Sequence, residues 1–325
     1  MKKFLYTLFI ITLSAGIFMS CSKDSLEPTL AQDKVVEGSI QTVDDVFGVL
    51  NGAYNRVTAT SYYGRDFIIY GEVRSDNCFA NGNSGRFLTP AAMDMGDNDA
   101  YPTGTWTSIY AVIASANIVI GLNPDELEGD ADQIAHYQGE AYALRAMAHF
   151  DLLKLFGQQH VGGTMGVPYI MEYKGDELTP ARNSVDEVRG FIYADINQAL
   201  TLMDVSFNHP SKQFFTTYGV YALQSRVATY FADWSTVVSA SEAIINGSGG
   251  YAVVPEGDFV ASWYTDAAVN SIFELAYSTV DNNNINGLSQ IYRGAASGDI
   301  NALDDILTIF DAADVRVSPP MISVE

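Results

Sequence analysis

Apolar residues recur along this chain with a helical period from Thr42 onward. Val43, Val46, Leu50 and Tyr54 form the first apolar stripe. Thr42 is followed three residues later by Asp45, which is a helix start signal. Further stripes predict helices over about 106–120, 134–155, 184–200, 216–232 and 235–246, with a short last helix near 302–312.

Helix boundaries are also marked in the sequence. The longest stripe stops at Gly157, a natural C-cap. Ser184 opens the next helix as a capping box, with Glu187 at the third helical position. Residues 75–104 are rich in Gly, Asn and Asp and predict long loops with at most a short strand.

The helices come in pairs with short connections. The last pair is separated only by Asp233 and Trp234. Such pairs favour an α-solenoid or an irregular helical bundle. The fold class expected is therefore mainly α, a tetratricopeptide-like paired-helix scaffold (an alpha-alpha superhelix) with a loop-rich irregular portion. The tetratricopeptide positions in the last pair are filled by Ala228, Phe231, Ala240 and Ile244.

The N-terminus has the order of a secretory signal. Lys2 and Lys3 precede an apolar run, and Ser20 then precedes Cys21. This end resembles the lipobox of bacterial lipoproteins, in which the cysteine is acylated, although Phe18 stands where Leu is usual. The alternative is ordinary secretion with Cys21 incidental. The predicted organisation is a signal peptide over 1–20, lipidation at Cys21, a flexible tether over 21–40 and one helical domain over 41–325.

Charge and cysteine content narrow the possible partners. The chain has 39 acidic against 17 basic residues, a formal net charge of -22. Such a surface repels phosphate backbones and anionic headgroups, so no nucleic-acid partner is expected and membrane attachment is expected through lipid alone. If Cys21 is acylated, Cys78 has no cysteine left to pair with.

Motifs for catalysis and for metal binding are missing from the sequence. It contains no phosphate-binding glycine loop, nucleophile elbow or zinc-ligand spacing. The segment from Asn282 to Gly287 imitates the start of a calcium loop, but Arg293 stands where a glutamate is required. We expect no enzyme activity, no cofactor and no metal, and a cation held by Asp94, Asp97 and Asp99 in a non-standard loop stays open as the alternative. A carboxylate pair for glycoside hydrolysis stays open, because the sequence does not give its separation.

Aromatic residues embedded in polar loops are the remaining chemical signal. Flat aromatic rings beside Asn, Asp and Arg suit sugar rings, whose C–H faces stack while the hydroxyls take directed hydrogen bonds. The alternative for each ring is that it covers the helical core. The predicted ligand-binding residues are Tyr62, Tyr63, Arg74, Asp76, Asn77, Phe79, Tyr101, Tyr292 and Arg293.

Four segments carry family motifs in order along the chain. The strongest is Gly139–Gly157 with its continuation Gly166–Ile170, GEAYALRAMAHFDLLKLFG followed by GVPYI. The others are Trp106–Ile120, Ala181–Leu200 and Tyr221–Ile245. Together they resemble the SusD/RagB family of surface-exposed nutrient-binding lipoproteins.

The resemblance implies a function as well as a fold. It implies a non-catalytic lipoprotein of the cell outer membrane, exposed at the surface, which binds oligosaccharides or other nutrient fragments. It also implies delivery of that ligand to a SusC-like, TonB-dependent outer-membrane transporter. Two alternatives are a helical scaffold that binds no ligand and an exported glycoside hydrolase.

Two further expectations follow from the resemblance. Glu140, Arg145, Arg182 and Trp234 are expected to serve the fold, with Arg145 as a buried charge that reaches another helix. The chain stops at Glu325, where family members usually continue, so the domain is expected to be short at its C-terminus.

Overall fold

The structure, a computed structural model, describes residues 38–174, 179–292, 298–311 and 313–317. The chain divides into a unit Met1–Ile40 and a unit Gln41–Glu325, and the helices and strands given below belong to the second. The predicted signal peptide, Cys21 and nearly all of the predicted tether lie outside the described residues.

The described residues are mainly helical, as the sequence predicts. Two short antiparallel strands are their only sheet, with Cys78 opposite Ala302. The elements are α1 Val43–Val57, α2 Asp66–Val73, β1 Cys78–Ala80, α3 Leu88–Ala91, α4 Ala100–Ile120, α5 Ala131–Phe156, α6 Val185–Leu202, α7 Thr217–Tyr230, α8 Trp234–Ile245, α9 Phe259–Ser262, α10 Leu288–Tyr292, β2 Ile300–Ala302 and α11 Ile306–Ile309.

Two capping boxes begin helices where the sequence places them. In α1 the Asp45 amide donates to Thr42 Oγ1 at 3.2 Å, and the Thr42 amide donates to Asp45 Oδ2 at 3.1 Å. Ser184 and Glu187 repeat this exchange at the start of α6, at 3.2 and 2.7 Å. Each cap satisfies amides that the first helical turn leaves unpaired and stabilises the fold by about 1 kcal/mol.

The paired-helix architecture is confirmed by the packing. Helix α5 packs on α4 and α6, α1 packs on α4, and α7 packs on α8. The apolar stripe of α5, with Leu144 and Leu152 fully buried, lies at the centre of these contacts. The structure therefore has the tetratricopeptide-like layering expected from the sequence.

Gly157 ends α5, but not through a left-handed conformation. Its φ is -86°, which any residue can adopt. A Cβ at this position would lie 2.6 Å from the Leu153 carbonyl oxygen. The close approach of the backbone, and not the dihedral angle, is what requires glycine here.

The buried charge of Arg145 is paired across helices, as expected. Its Nε and Nη2 donate to the two carboxylate oxygens of Asp195 on α6, both at 2.7 Å. Its Nη1 donates to Asn117 Oδ1 on α4 at 2.8 Å, and Tyr169 donates its hydroxyl to Asp195 at 2.6 Å. A bidentate pair with satisfied neighbours fixes the relative positions of three helices.

Of the other residues expected to serve the fold, two do so and one does not. Glu140 is buried in α5. Arg182 donates through Nη1 to the carbonyls of Phe156 and Gly166, at 2.9 and 2.8 Å. Trp234 is expected to serve the fold, but it is 62% exposed at the start of α8 and most of its ring lies outside the core.

Several elements differ from the sequence prediction. Helix α2 and the short helices α3, α9 and α10 are additional, α4 begins at Ala100 inside the predicted loop, and the last helix is confined to Ile306–Ile309. Pro102 in the first turn of α4 is tolerated because the amide that it lacks has no helical partner there. Ala302, where the predicted last helix begins, is instead the last residue of β2 and pairs with Cys78 of β1.

Helix α4 is long and apolar enough, by length and composition, to cross a membrane. Ile109, Val112 and Ile113 are buried, and α4 packs on α1 and α5. Its apolar character therefore matches a core position in the folded chain.

Candidate functional site

A cavity of about 1140 Å³ separates the helical scaffold from the segment 273–290, and we call it the 273–290 groove. Scaffold side chains from α1, α2, α5 and α7 form one side, and the 273–290 segment forms the other. The described lining residues are Val57, Tyr63, Gly64, Ile68, Met147, Arg226, Phe273, Leu275, Tyr277, Ser278, Thr279, Asn282, Asn283, Asn284, Ile285, Gly287, Leu288, Ser289 and Gln290.

Asn283 fastens the 273–290 segment to the linker between α1 and α2. Its Nδ2 donates to the Thr58 carbonyl at 3.2 Å, and its Oδ1 accepts from the Thr60 hydroxyl at 3.0 Å. Gly64 makes this contact possible, because a Cβ there would overlap both the Asn283 amide nitrogen and the Thr58 carbonyl oxygen. The glycine is thus required by close approach.

Asn286 gives the segment a second attachment. Its Oδ1 accepts from Arg65 Nη1 at 2.9 Å and from Arg86 Nη1 at 3.0 Å. Arg86 Nη2 also pairs with the buried carboxylate of Asp299 at 2.6 Å. Both guanidinium groups lie against the Phe87 ring, 5.3 and 5.8 Å from its centroid. The groove wall is therefore held in place without a ligand.

The groove combines apolar and aromatic surface with polar side chains that have no partner. Among the described residues, the side chains of Thr279, Ser289 and Gln290 make no hydrogen bond. Tyr277, 47% exposed, presents an aromatic face and donates its hydroxyl to the Thr58 carbonyl at 3.3 Å. Ligand pockets typically have this composition, in which apolar walls carry a few directed polar groups.

Tyr63 is the predicted site residue that lines the groove. Its ring is tilted by 50° against both Tyr62 and Phe67, with centroids 4.7 Å from each. Its hydroxyl is buried and makes no hydrogen bond of good geometry in the described part of the chain. Burial, followed by the nearby charge of Asp151, raises the pKa of Tyr63 well above its ordinary value, so the hydroxyl stays neutral.

Tyr62, its neighbour, is fully buried beneath the groove. Its hydroxyl donates to Asp151 Oδ2 at 2.6 Å, and Asp151 also pairs with Lys154 at 2.8 Å. No face of this ring is open to a ligand. The prediction that Tyr62 binds ligand is therefore wrong, since the ring fills the core.

Tyr101 and Tyr292 also turn inward. Both pack against a satellite core made by Ile69, Val73, Phe87, Ile291 and Ile300. The Tyr101 hydroxyl accepts from the Phe87 amide at 2.9 Å, and the Tyr292 hydroxyl is buried. Their rings support the β1–β2 region and do not line the groove. Arg293 lies outside the described residues.

The other four predicted residues share the surface around β1. Arg74 donates to the Tyr70 carbonyl at 2.7 Å, and Asp76, Asn77 and Phe79 are exposed, the last by 43%. None of the four is among the described residues that line the groove. The predicted set is thus split between the groove, the core and a separate surface.

The sequence prediction missed most of the groove. Arg226 lies inside a helix, and the asparagines from 282 to 284 lie in a segment whose only sequence signal was a failed calcium loop. No three His, Cys, Asp or Glu side chains come together in the described ranges in a way that could hold a metal ion. The asparagines instead anchor and line the groove.

Comparison with known proteins identifies similar chains. Residues 26–229 match a SusD-like family described as starch-binding and associating with the outer membrane. A SusD-like protein, P2, from Formosa agariphila is 26% identical over 267 residues, which are 80% of this chain and 49% of that protein. The chain spans about half the length of this relative.

Solved structures share the fold. A SusD superfamily protein from Bacteroides thetaiotaomicron superposes with a TM-score of 0.75 at 23% identity, over 82% of this chain and 61% of that one. A structure described as a laminarin-binding SusD-like protein superposes with a TM-score of 0.57 at 17% identity, over 70% and 50% of the two chains. At these identities the likeness establishes the fold alone.

Proposed function

The chain belongs to the SusD-like family, and from this premise we propose that it binds oligosaccharide in the 273–290 groove without turnover. It passes the ligand to a TonB-dependent, SusC-like outer-membrane transporter. We propose further that it resides at the outer surface of the outer membrane, attached through lipid at Cys21.

The groove itself is the observation that carries this proposal. Its volume of about 1140 Å³ matches a ligand of several sugar rings. Tyr63 and Tyr277 offer aromatic surface for C–H faces, and Ser289 and Gln290 offer unused polar groups for hydroxyls. A preformed wall keeps the entropic cost of ordering the site low.

The family match and the laminarin-binding structural neighbour support carbohydrate as the ligand class. Transfer to a transporter is supported by the family resemblance alone. Co-purification from membranes tests it: a SusC-like partner recovered with the wild-type chain supports transfer. A chain recovered alone from intact membranes, while it still binds glycan, contradicts the transfer step.

Binding without catalysis is supported by the positions of Glu140 and Asp66, the described carboxyl groups whose pKa is raised. Burial raises the pKa of Glu140 to about 8 and also raises the pKa of Asp66. Both side chains are buried, and neither lines the groove. A glycosidase acid has to reach the glycosidic oxygen, so these two cannot fill that role in this arrangement.

Calorimetric titration with a panel of oligosaccharides tests the binding proposal, with product analysis of each mixture. We expect saturable binding, no cleavage, and affinity reduced about tenfold by Gln290→Ala, equivalent to ~1.4 kcal/mol. Phe79→Ala is the matched control because it removes an exposed side chain outside the groove. If Phe79→Ala alone weakens binding, the ligand sits on the β1 surface and not in the groove.

A second candidate function is a scaffold that binds no ligand. The observation that favours it is an apolar stripe on α8, where Trp234, Val238 and Ile245 are 62, 56 and 76% exposed. Contiguous exposed apolar surface is typical of protein interfaces. Recovery of a partner that is lost in Trp234→Ser, together with silence of the whole ligand panel, would favour the scaffold.

A further inference from the structure

The charge of the 273–290 groove is opposite to that of the chain. The protein has 39 acidic and 17 basic residues. Yet no Asp or Glu is among the described residues that line the groove, and Arg226 is their one charged member. An acidic protein thus keeps carboxylates out of this cavity and places a guanidinium in it.

Arg226 keeps its charge available. It forms no ion pair within 4 Å in the part of the chain that the structure describes. The carboxylate beneath the groove, Asp151, is already held by Lys154 at 2.8 Å and by the Tyr62 hydroxyl at 2.6 Å. Asp281 and Glu274, the acids of the 273–290 segment, do not line the groove, and Asp281 accepts from Asn55 at 3.4 Å.

A second donor lies beside the guanidinium. The Tyr63 hydroxyl is buried, lacks a hydrogen-bond partner of good geometry among the described residues, and interacts electrostatically with Asp151 and, less strongly, with Arg226. Because this hydroxyl is shielded from solvent, the exposed guanidinium is the group of the two that a negatively charged ligand oxygen would meet.

We infer, on the footing of the proposed function, that the groove takes an oligosaccharide bearing a carboxylate or a sulfate group, which pairs with Arg226. The planar guanidinium offers two parallel donors to either anion. Tyr277 and the unused polar groups of Ser289 and Gln290 then contact the sugar rings that neighbour the charged one.

The acidic surface does not prevent this pairing. Exposed charges further away than a Debye length of about 8 Å at physiological salt are largely screened. A direct contact pair lies well within that length and keeps its attraction. The local guanidinium therefore decides the charge preference of the groove, and the net charge of -22 acts mainly on the approach of the ligand.

Matched pairs of oligosaccharides test the inference by calorimetry on the full chain. Each pair shares one backbone: an oligogalacturonate with its methyl ester, and a sulfated galactan oligosaccharide with its desulfated form. We expect the acidic member of at least one pair to bind at least tenfold more tightly than its neutral partner. Which pair responds distinguishes carboxylate from sulfate.

Charge-matched variants assign the preference to its residue. Arg226→Gln should abolish the difference between acidic and neutral members, and Arg226→Lys should retain part of it. Arg74→Gln removes the same charge outside the groove and should leave the difference intact. Glutamine and arginine have similar helix propensity, so the exposed α7 position should stay folded, which a thermal melt verifies.

The failures are distinguishable. Equal or tighter binding of the neutral members, unaffected by Arg226→Gln, overturns the anionic ligand and leaves oligosaccharide binding standing. Preference for an acidic peptide over every glycan overturns the carbohydrate class. No binding of any oligosaccharide by the folded wild-type chain overturns both the proposed function and this inference.

Discussion

Glu140 is a buried carboxyl whose ionisation should be measurable as a loss of stability. It is 2% exposed in α5, and the Tyr54 hydroxyl donates to its Oε2 at 2.5 Å. His136 Nδ1 accepts from the Asp204 amide at 3.2 Å, which leaves Nε2 3.6 Å from Glu140 Oε1, too far for a hydrogen bond. Burial raises the pKa of Glu140 to about 8, although the Tyr54 hydrogen bond opposes this.

A raised pKa means that stability falls as pH rises. Between about 4.5 and 8 the carboxyl is protonated in the folded chain and ionised in the unfolded chain. Its contribution is complete below the unfolded pKa and is lost by about 1.4 kcal/mol per pH unit up to the folded pKa. Over the last one and a half units the loss is about 2 kcal/mol.

Two histidines act in the opposite direction, mainly at lower pH. Burial lowers the pKa of His136 to about 4 and of His149 to about 3. Their unfolded forms are about half protonated at pH 6.5, so stability still rises with pH through these groups up to about pH 7.5. Wild type and Glu140→Gln share this contribution, so the difference between the two chains isolates Glu140.

Urea unfolding of the full chain at pH 6.5 and 8.0 measures the effect. We expect the wild-type chain to lose about 2 kcal/mol more than Glu140→Gln across this window. Glu187→Gln is the control: hydrogen bonds from Ser184 lower the pKa of that exposed carboxyl, so the wild-type slope should persist. An unchanged slope in Glu140→Gln would refute this assignment.

Three further substitutions test the packing and the groove. Gly64→Ala should lower the Tm by several degrees and weaken glycan binding, because the new Cβ displaces Asn283. Gly71→Ala is the control, since its Cβ would meet open space and should change neither quantity. The same Tm for the two variants would contradict this prediction. Asp195→Ala leaves the Arg145 charge buried without its partner and should cost about 3–5 kcal/mol in urea unfolding, so a loss below 1 kcal/mol would refute the role of the pair. Tyr62→Phe should cost about 1 kcal/mol of stability yet leave the calorimetric affinity for glycan unchanged, and a large affinity loss would show that the ring reaches the ligand.

Helices with one apolar face were predictable from the sequence, because a single helical repeat of apolar residues marks each of them and capping residues mark where some of them begin. The stripe of α5 and the capping boxes at Thr42 and Ser184 lie where the sequence places them. The sequence did not predict helix α2, because this helix is apolar on more than one side. Its Ile69 faces the satellite core while Ile68 lines the groove, so no single stripe develops.

The candidate site was far less predictable. Tyr62 and Tyr63 are neighbours in the same polar loop, yet one fills the core and the other lines the groove. The sequence alone does not tell these two kinds of aromatic residue apart. Arg226 lies in the family motif Tyr221–Ile245, which predicts helix α7 but gives no sign that this side chain lines a groove. Its place in the groove depends on the 273–290 segment. Asn283 and Asn286 hold that segment through contacts to Thr60, Arg65 and Arg86, which lie 200 to 223 positions away in the sequence.

A crystal structure of the full chain with a bound oligosaccharide tests the central claim most directly. The account predicts sugar rings in the 273–290 groove, against Tyr63 and Tyr277 and within hydrogen-bond distance of Gln290. A ligand seated on the β1 surface beside Phe79, with the groove empty, would contradict it.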